Sequence, residues 1–348
     1  MRIALIFGGR SAEHDVSVVS ARSVSRALSA GGHEVFPMAI DRRGMWVDQG
    51  KAQRILQESG DRTDEVVEFQ GRHRLDPRFL SETFDVAFPV LHGPYGEDGA
   101  IQGLFEMLDL PYVGCDVTAS AVCMDKLQTK RLLVQAGFET APWVTVRRHE
   151  WYANVAPLRR RILEFGLPVF VKPTRLGSSL GISKVKNPGE LDDAMKVGFD
   201  FGPCLIVERG LDAREIEVAV LGNVEPRASL PGEIIPGRDF YDYKDKYLDD
   251  GCRLLAPAPL DEELVARVRK LAVDVFRLLG CEGMARVDLF LEGHTERLWV
   301  NEVNSIPGFT SISMYPRLWD LSGVKYPALL DELLRLAVER HRQIRKQG

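Results

Sequence analysis

Four polar side chains near the C-terminal end of the sequence lie on two segments that are otherwise apolar. Arg286 and Asp288 are two residues apart in the first segment, and Glu302 and Asn304 are two apart in the second. Residues at i and i+2 share one face of a strand, so each pair points to one side. If the two strands pair so that the numbers of directly opposed residues add up to an even number, all four side chains project from one face. If the sum is odd, the two pairs project from opposite faces. Two carboxylates and an amide oxygen suit Mg²⁺, while a solvated sheet face with a salt bridge is the alternative interpretation.

Lys172 opens a second candidate site, Lys-Pro-Thr-Arg-Leu-Gly-Ser-Ser-Leu-Gly at residues 172–181. Small side chains let backbone N–H groups approach phosphate oxygens, and the lysine supplies a positive charge. The run lacks the closing Gly-Lys-Ser/Thr of a Walker A loop. It also joins two predicted strands, whereas a Gly-x-Gly-x-x-Gly turn leads into a helix. A hairpin without a ligand role is an equally open interpretation.

Two further segments carry residue types suited to binding small charged molecules. Gly-Gly-Arg-Ser-Ala-Glu-His at 8–14 lies at a strand-to-helix junction, where the helix N-terminus favours anions. Glu13 there has a simpler explanation, because a carboxylate in the first turn complements the helix dipole. Residues 240–247, Phe-Tyr-Asp-Tyr-Lys-Asp-Lys-Tyr, lie within a long segment rich in Gly, Pro, Asp, Lys and Tyr at 231–251. Such a segment indicates either a lid over a nucleotide or an exposed charged loop.

Alternating strand and helix patterns must position these segments. The predicted strands cover residues 3–7, 34–40, 84–91, 168–173, 181–185, 204–208, 215–221 and 286–291. The predicted helices cover residues 12–30, 118–136, 261–279 and 327–342. The pattern in the first third of the chain predicts a parallel sheet, and that in the middle third predicts an antiparallel hairpin. We therefore predict three α/β or α+β domains, at 1–114, 115–210 and 211–348.

Composition limits the class of protein. Apolar residues make up 45% and charged residues 27% of the 348, which is typical of a globular protein. A net charge of −5 gives no reason to expect a nucleic acid or a membrane as partner. The five cysteines show no Cys-x-x-Cys spacing, which favours reduced thiols. The opening apolar stretch stops at Gly8, short of a signal peptide, and no run reaches about 18 apolar residues. We expect a cytoplasmic protein.

Together the motifs resemble those of the D-alanine–D-alanine ligases in the ATP-grasp superfamily. The resemblance runs from residue 3 to about residue 314, nearly the whole chain. It rests on the motif at 8–14, His-Gly-x-x-Gly-Glu-Asp-Gly at 92–99, Met-Asp-Lys at 124–126, Lys-Pro-x-Arg-x-Gly-Ser-Ser at 172–179, Phe-Tyr-Asp-Tyr at 240–243, Lys-Tyr at 246–247 and Asn-x-x-Pro-Gly at 304–308.

The resemblance implies an ATP-grasp fold preceded by an N-terminal parallel-sheet domain. It implies a homodimer that uses ATP and two Mg²⁺ ions, with Mn²⁺ able to substitute, to join two D-alanines through an acylphosphate. The implied ATP contacts are Lys126, Lys172, Ser179, Glu208, Glu215 and Lys246. The implied metal ligands are Asp288, Glu302 and Asn304. The implied catalytic residues are Glu13, Ser178, Tyr247, Arg286, Gly308 and Ser313, and His92 and Met314 line the substrate site.

Several alternatives stay open at this point. A ligase of the same class that uses D-lactate or D-serine as second substrate is one alternative. In related ligases that prefer D-lactate, phenylalanine stands at the position of Tyr247 or the lid differs, so the Lys-Tyr pair at 246–247 favours an amine nucleophile. A catalytically inactive nucleotide-binding module is disfavoured by intact Arg286 and Asp288. An NAD-dependent oxidoreductase is disfavoured because Gly8-Gly9 lacks the spaced third glycine. Two departures from the family pattern, Arg209-Gly210 after Glu208 and Met314 where leucine is common, concern the adenine contact and the second pocket.

Overall fold

Within residues 1–57, 71, 76–235, 253–310 and 312–346, which the computed structural model describes, the strands form three sheets. The strands are β1 (Arg2–Gly8), β2 (Glu34–Ile40), β3 (Val86–Pro89), β4 (Trp143–Arg147), β5 (Val169–Pro173), β6 (Ser183–Val185), β7 (Cys204–Arg209), β8 (Ala213–Gly222), β9 (Arg227–Ala228), β10 (Gly232–Ile235), β11 (Arg253–Leu255), β12 (Gly283–Glu292) and β13 (Leu298–Asn304). The helices are α1 (His14–Ala30), α2 (Gln49–Gln57), α3 (Pro77–Thr83), α4 (Ala100–Met107), α5 (Val117–Met124), α6 (Lys126–Gln135), α7 (Arg148–Ala153), α8 (Val155–Leu163), α9 (Leu191–Asp200), α10 (Glu262–Leu278), α11 (Met314–Leu321) and α12 (Tyr326–Arg345).

The first sheet is parallel, with strand order β2-β1-β3, as the sequence predicts. Both faces of β1 are covered, since Ile3, Leu5 and Phe7 belong to one core cluster and Ala4 and Ile6 to another. This explains why its sequence is continuously apolar rather than alternating. The strand ends in two glycines with φ of 87° and 92°, conformations that suit glycine and turn the chain towards α1.

Two antiparallel sheets follow. The central sheet has the order β4-β7-β5-β6, and its β5–β6 hairpin pairs Val169 with Val185, which confirms the predicted hairpin. The last sheet has the order β11-β10-β8-β12-β13, with β9 paired to β8. Helix α10 packs its apolar face on this sheet, where Val268, Ala272 and Phe276 are fully buried. The two sheets provide the two walls between which the candidate site lies.

The predicted single helix over 118–136 is wrong, because the chain breaks at Asp125 into α5 and α6. Asp125 has an extended backbone, with φ −90° and ψ 95°. Its side chain accepts hydrogen bonds from the backbone N–H groups of Leu127 (3.1 Å) and Gln128 (3.2 Å). An aspartate that caps the N-terminus of a new helix competes with continuation of the old one. The break places Lys126 in the first turn of α6.

The C-terminal helix α12 completes the core of the first sheet. Its residues Leu329, Leu330 and Leu333 are fully buried in the same cluster as Leu5 and Phe7 of β1. Each such side chain contributes about 1.5–3 kcal/mol on burial. Each sheet lies within one of the three predicted domains. The hydrophobic core that α12 completes, however, combines residues of the first and third predicted domains, so the domain boundaries at 114 and 210 stay predictions.

No helix in the described part of the chain combines the length and hydrophobicity that crossing a bilayer requires.

Candidate active site

The register of β12 with β13 brings the four C-terminal polar residues to one face. Arg286 is opposite Asn304, and Asp288 is opposite Glu302, so both pairs sum to the same even number. Directly opposed residues of antiparallel strands point to the same side. After Asp288 the register shifts, and Leu289 is opposite Val300. The predicted condition for convergence is therefore met.

Arg286 links the carboxylates on this face. Its Nε and Nη2 donate to the two oxygens of Asp288, both at 2.7 Å, and Nη2 lies 3.2 Å from Glu217 Oε1 on β8. Asn304 Nδ2 donates to Asp288 Oδ2 at 2.9 Å. Burial opposes the charge of Arg286, but Asp288 and Glu217 outweigh it and raise the pKa of the guanidinium above its ordinary value. The site therefore keeps a fixed cation beside its carboxylates.

The donor set on this face fits a divalent cation in its chemistry. The two carboxylates, Asp288 and Glu302, and the amide oxygen of Asn304 are hard oxygen donors of the kind that Mg²⁺ prefers. Among the described residues, no three His, Cys, Asp or Glu side chains are grouped closely enough to hold a metal by themselves. Asp288 is held by Arg286, so a cation here would share this carboxylate with the guanidinium.

Lys126 connects the central hairpin loop to the C-terminal strands. Its Nζ donates to the carbonyl of Leu176 at 2.7 Å and lies 3.4 Å from Glu302 Oε2. Arg175 Nε donates to Asp125 at 2.6 Å, which ties the loop to the start of α6 a second time. The predicted hairpin and the predicted metal ligands are therefore adjacent.

A buried cluster of three charges lies behind the hairpin. Glu208 Oε2 is 2.7 Å from Lys172 Nζ, and Glu208 Oε1 is 2.9 Å from Lys130 Nζ. Burial alone would raise the pKa of Glu208, but the two ammonium groups outweigh it and lower the pKa to about 2. Sequence reasoning found Lys172 and Glu208 and missed Lys130. Its only sequence signal is a position one helical turn after Lys126.

The loop after β5 meets the N-terminal motif at its serines. Ser178 Oγ donates a short hydrogen bond to Glu13 Oε1, and Glu13 is 8% exposed. Ser178 and Ser179 have φ of 50° and 56°, in the left-handed region that non-glycine residues rarely adopt. The expected Glu13–Ser178 contact is thus present. Tyr247 and Lys246 lie outside the described residues, as does the whole predicted lid sequence 240–247.

His92 and Glu97 join the second N-terminal motif to the loop after β13. His92 Nδ1 is 3.1 Å from the carbonyl of Ile306, and the Ile306 N–H donates to Glu97 Oε1 at 3.1 Å. The Gly93 N–H donates to the other oxygen of Glu97 at 2.7 Å. Burial and the nearby Glu13 carboxylate raise the pKa of Glu97 to about 8. Sequence reasoning had Glu97 inside a motif but gave it no role.

Gly308, Ser313 and Met314 complete the opposite side of this cavity. Ser313 Oγ accepts from the Thr310 N–H at 3.0 Å and lies 2.7 Å from Thr310 Oγ1. A Cβ at position 308 would lie 2.7 Å from Ser313 Oγ, so a larger residue there would displace the Ser313 hydroxyl. Met314 begins α11.

Three connected cavities join these groups. The first is lined by Glu13, His92, Glu97, Ser178, Glu217, Arg286, Glu302, Asn304, Gly308, Ser313 and Met314. The second is lined by Lys172, Ser179, Glu215, Glu217, Asp288 and Glu302, and the third includes Lys172, Glu208 and Glu215. Shared residues connect each cavity to the next, so the sequence-predicted residues that are described converge on one cleft, with Lys126 at its side.

Two antiparallel sheets with a charged cleft between them define an ATP-grasp protein. Two family models match the chain: "D-ala D-ala ligase N-terminus" over residues 2–115 and "D-ala D-ala ligase C-terminus" over residues 132–335. The chain belongs to the D-alanine–D-alanine ligase family.

Individual relatives are similar over almost the whole chain. A D-alanine–D-alanine ligase of Thermoanaerobacter sp. (strain X514) is 46% identical, covering 98% of both sequences. One of Solibacter usitatus is also 46% identical, covering 99% of this chain and 97% of the relative. The solved D-alanine-D-alanine ligase of Coxiella burnetii has a TM-score of 0.84 at 37% identity, covering 100% of this chain and 96% of that one. The VanG D-Ala:D-Ser ligase of Enterococcus faecalis has a TM-score of 0.80 at 36% identity, covering 97% of this chain and 99% of that one.

Proposed function

We propose that this protein joins two D-alanines into D-alanyl-D-alanine for peptidoglycan synthesis, with ATP as the energy source. The carboxylate of the first D-alanine is activated as an acylphosphate, and the amine of the second attacks its carbonyl. The observation that carries this proposal is the adjacency of Lys172 and its hairpin loop to the Arg286–Asp288 and Glu302–Asn304 face. That arrangement places the Lys172 ammonium and the carboxylates in one cleft, which supports a role in phosphoryl transfer.

For the nucleotide, we propose that Lys126 and Lys172 bind the phosphates, Ser179 contributes from the hairpin loop, Glu208 lies beside the adenine, and Glu215 contacts the ribose. Lys172 suits this role because Glu208, acting against the effect of burial, raises its pKa and keeps the ammonium charged. Lys246 would reach the γ-phosphate from the lid.

For the cation site, we propose that Asp288, Glu302 and Asn304 hold two Mg²⁺ ions, for which Mn²⁺ can substitute. Bound cations of this kind neutralise the charge that develops on transferring phosphate oxygens. The fixed guanidinium of Arg286 orients Asp288 through both of its oxygens, so the ligand does not rotate freely.

For the amino acids, we propose that Glu13 binds the first ammonium and that Ser178 and Tyr247 complete a hydrogen-bonded set with it. Arg286 and the Gly308 N–H would stabilise the oxyanion of the tetrahedral intermediate, and Arg286 and Ser313 would bind the second carboxylate. All of these except Tyr247, which lies outside the described residues, line one cavity, together with His92 and Met314. A backbone N–H that lines this cavity is the kind of donor that stabilises a developing oxyanion.

The identity of the second substrate is the finest part of this proposal. D-alanine is favoured by the names of the relatives at 46% identity, whereas a structural relative at 36% identity is a D-Ala:D-Ser ligase. The experiment is phosphate release from ATP and Mg²⁺ with D-Ala, L-Ala, D-Ser and D-Lac offered singly, and then with D-Ala in competition with D-Ser or D-Lac, with products identified by mass. Release with D-Ala alone, and the dipeptide as product, is expected. Predominant D-Ala-D-Ser or depsipeptide at neutral pH would replace the proposed second substrate.

We also propose that the protein works in the cytoplasm as a homodimer. The described cysteines Cys115, Cys123, Cys204 and Cys281 are unbridged, which fits a reducing compartment. Light scattering after size-exclusion chromatography measures the oligomeric state, and a mass of one chain at micromolar concentration would contradict the dimer.

A further inference from the structure

Lys130 is a buried lysine that the proposed reaction leaves without a role. It is 2% exposed and lies on α6, one turn after Lys126. Its Nζ contacts Glu208 Oε1 at 2.9 Å, Thr140 Oγ1 at 2.7 Å and the carbonyl of Ala141 at 3.1 Å. The ammonium thus meets three oxygen acceptors, as many as its protons can serve. Lys130 does not line the three connected cavities, so it does not reach a ligand there directly.

Glu208 connects Lys130 to the cleft. Lys130 contacts one carboxylate oxygen and Lys172 contacts the other, and both Lys172 and Glu208 line the third cavity. Because both oxygens are engaged, the carboxylate is held in one orientation. A carboxylate held by Lys172 alone would be free to rotate about that one contact.

Charge balance gives Lys130 a second effect. Besides Glu208, the carboxylates of Glu302 and Glu215 also act electrostatically on Lys172. Lys126 and Lys172 oppose them from the cleft, and Lys130 opposes Glu208 from behind. Without Lys130, the full charge of Glu208 would fall on Lys172. Buried charges interact strongly in a low dielectric, so Lys172 would then attract an anionic ligand less strongly.

We propose that Lys130 is a positioning residue for nucleotide binding: by holding and neutralising Glu208 from outside the cleft, it leaves the charge of Lys172 available to the phosphates. This inference rests on the proposed function only in taking the ligand to be an adenine nucleotide. It predicts a larger effect on ADP than on adenosine, because a loosened Glu208 disturbs the adenine of both ligands, whereas only ADP presents phosphates to Lys172.

The test is titration calorimetry of Mg-ADP and of adenosine on the full chain, comparing wild type, Lys130→Met and Thr140→Val. Loss of a residue that orients a metal ligand typically costs about 10–100-fold in metal affinity, and we expect a loss of similar order in ADP affinity with Lys130→Met. Adenosine affinity should fall by clearly less than ADP affinity, and the KM for D-Ala should stay near the wild-type value. Thr140→Val removes another partner of the same ammonium but leaves the Glu208 contact, so its ADP affinity should match wild type.

A double-mutant cycle with Glu208→Gln separates positioning from general stability. In that background Lys130→Met should change ADP affinity little, because its target carboxylate is already gone. Lys130→Gln, which keeps a hydrogen-bond donor, is the second variant if Lys130→Met does not fold. A folded variant with wild-type ADP affinity, or an equal loss in both backgrounds, would overturn the inference, as would failure of both variants to fold. Wild type that binds ADP without D-Ala-dependent phosphate release would refute the proposed function and leave this inference to be decided by the same titrations.

Discussion

Arg286 and Asp288 lie on the same strand and share two hydrogen bonds of 2.7 Å, one to each carboxylate oxygen. Residues two apart on a strand point the same way, and here they form a two-point contact that fixes both side chains. Glu217 on the neighbouring strand β8 adds a third carboxylate oxygen at 3.2 Å from the guanidinium. The cation thus has a fixed position beside the proposed ligands, and the first prediction concerns its removal.

Arg286→Ala should lower kcat by about 10²–10³-fold, the usual effect of removing one donor to a developing oxyanion. The affinity for ATP should change little, because Arg286 does not line the cavity that contains Lys172. Initial rates of phosphate release and titration with Mg-ADP measure the two effects. Arg335→Ala is the matched control, since Arg335 also binds two carboxylates, Glu332 and Glu339, but on the exposed face of α12. A kcat within a few-fold of wild type would remove the oxyanion role.

Ser178→Gly should raise the KM for D-Ala by about tenfold, because a hydrogen bond to a charged group contributes roughly 1.5–3 kcal/mol. The lost bond is the one from Ser178 Oγ to Glu13, the proposed ammonium ligand. Glycine adopts the φ of 50° easily, so this variant tests the hydroxyl without backbone strain. Ser178→Ala, measured beside it, also lacks the hydroxyl but keeps the Cβ, and therefore keeps the backbone strain of this φ. Steady-state kinetics that show a normal KM for the glycine variant would mean that the hydroxyl does not support Glu13.

Glu97 predicts a pH dependence of stability. Its pKa is raised to about 8 by burial and by Glu13, so between about 4.5 and 8 the folded protein retains a proton that the unfolded chain has lost. The contribution of Glu97 to the stability of the folded protein is therefore fully present below about pH 4.5 and is lost as the pH rises through about 8. The thermal midpoint of wild type, relative to that of Glu97→Gln, should fall across this window. A difference that stays constant from pH 5 to pH 9 would contradict the raised pKa.

Asp125→Ala should destabilise the protein by about 1 kcal/mol through loss of the N-terminal cap of α6. It should also raise the KM for ATP, because Asp125 holds Arg175 of the hairpin loop at 2.6 Å. Asp116→Ala is the matched control: Asp116 caps α5 through the Ala119 N–H. Chemical denaturation should show similar losses of stability for both variants, with the KM effect confined to Asp125→Ala. Equal KM values in both variants would count against a role of Asp125 in the loop.

Much of the fold could be predicted because its signals are local. The parallel strands of the first sheet are short apolar runs bounded by glycine, and β2 occupies the predicted residues 34–40. The sequence alone could say only that four polar side chains converge if the strand register is the right one. Register depends on the turn and on packing across both faces, which the sequence of the two strands does not determine. The four side chains are those of Arg286, Asp288, Glu302 and Asn304. The residues of the family motifs that are described lie around the cleft, while their individual roles stay predictions.

What could not be predicted depends on contacts between distant segments. Lys130 on α6 meets Glu208 on β7 only in the folded protein, and nothing in the sequence near Lys130 indicates that contact. Glu217 looks like one more residue of a buried strand until the register opposes it to Asp288. The helix break at Asp125 did have a local signal, the capping preference of aspartate, but the apolar pattern around it favoured continuity.

The packing of α12 on α1 and β3 has a consequence for biosynthesis. Leu5 and Phe7 of β1 share one hydrophobic core with leucines of α12, which are translated much later. Until α12 arrives, that apolar face has to stay exposed or be covered by another molecule, a condition that favours aggregation. Nascent chains arrested before Tyr326 should therefore bind chaperones that recognise apolar segments more strongly than chains arrested after Arg345 has emerged.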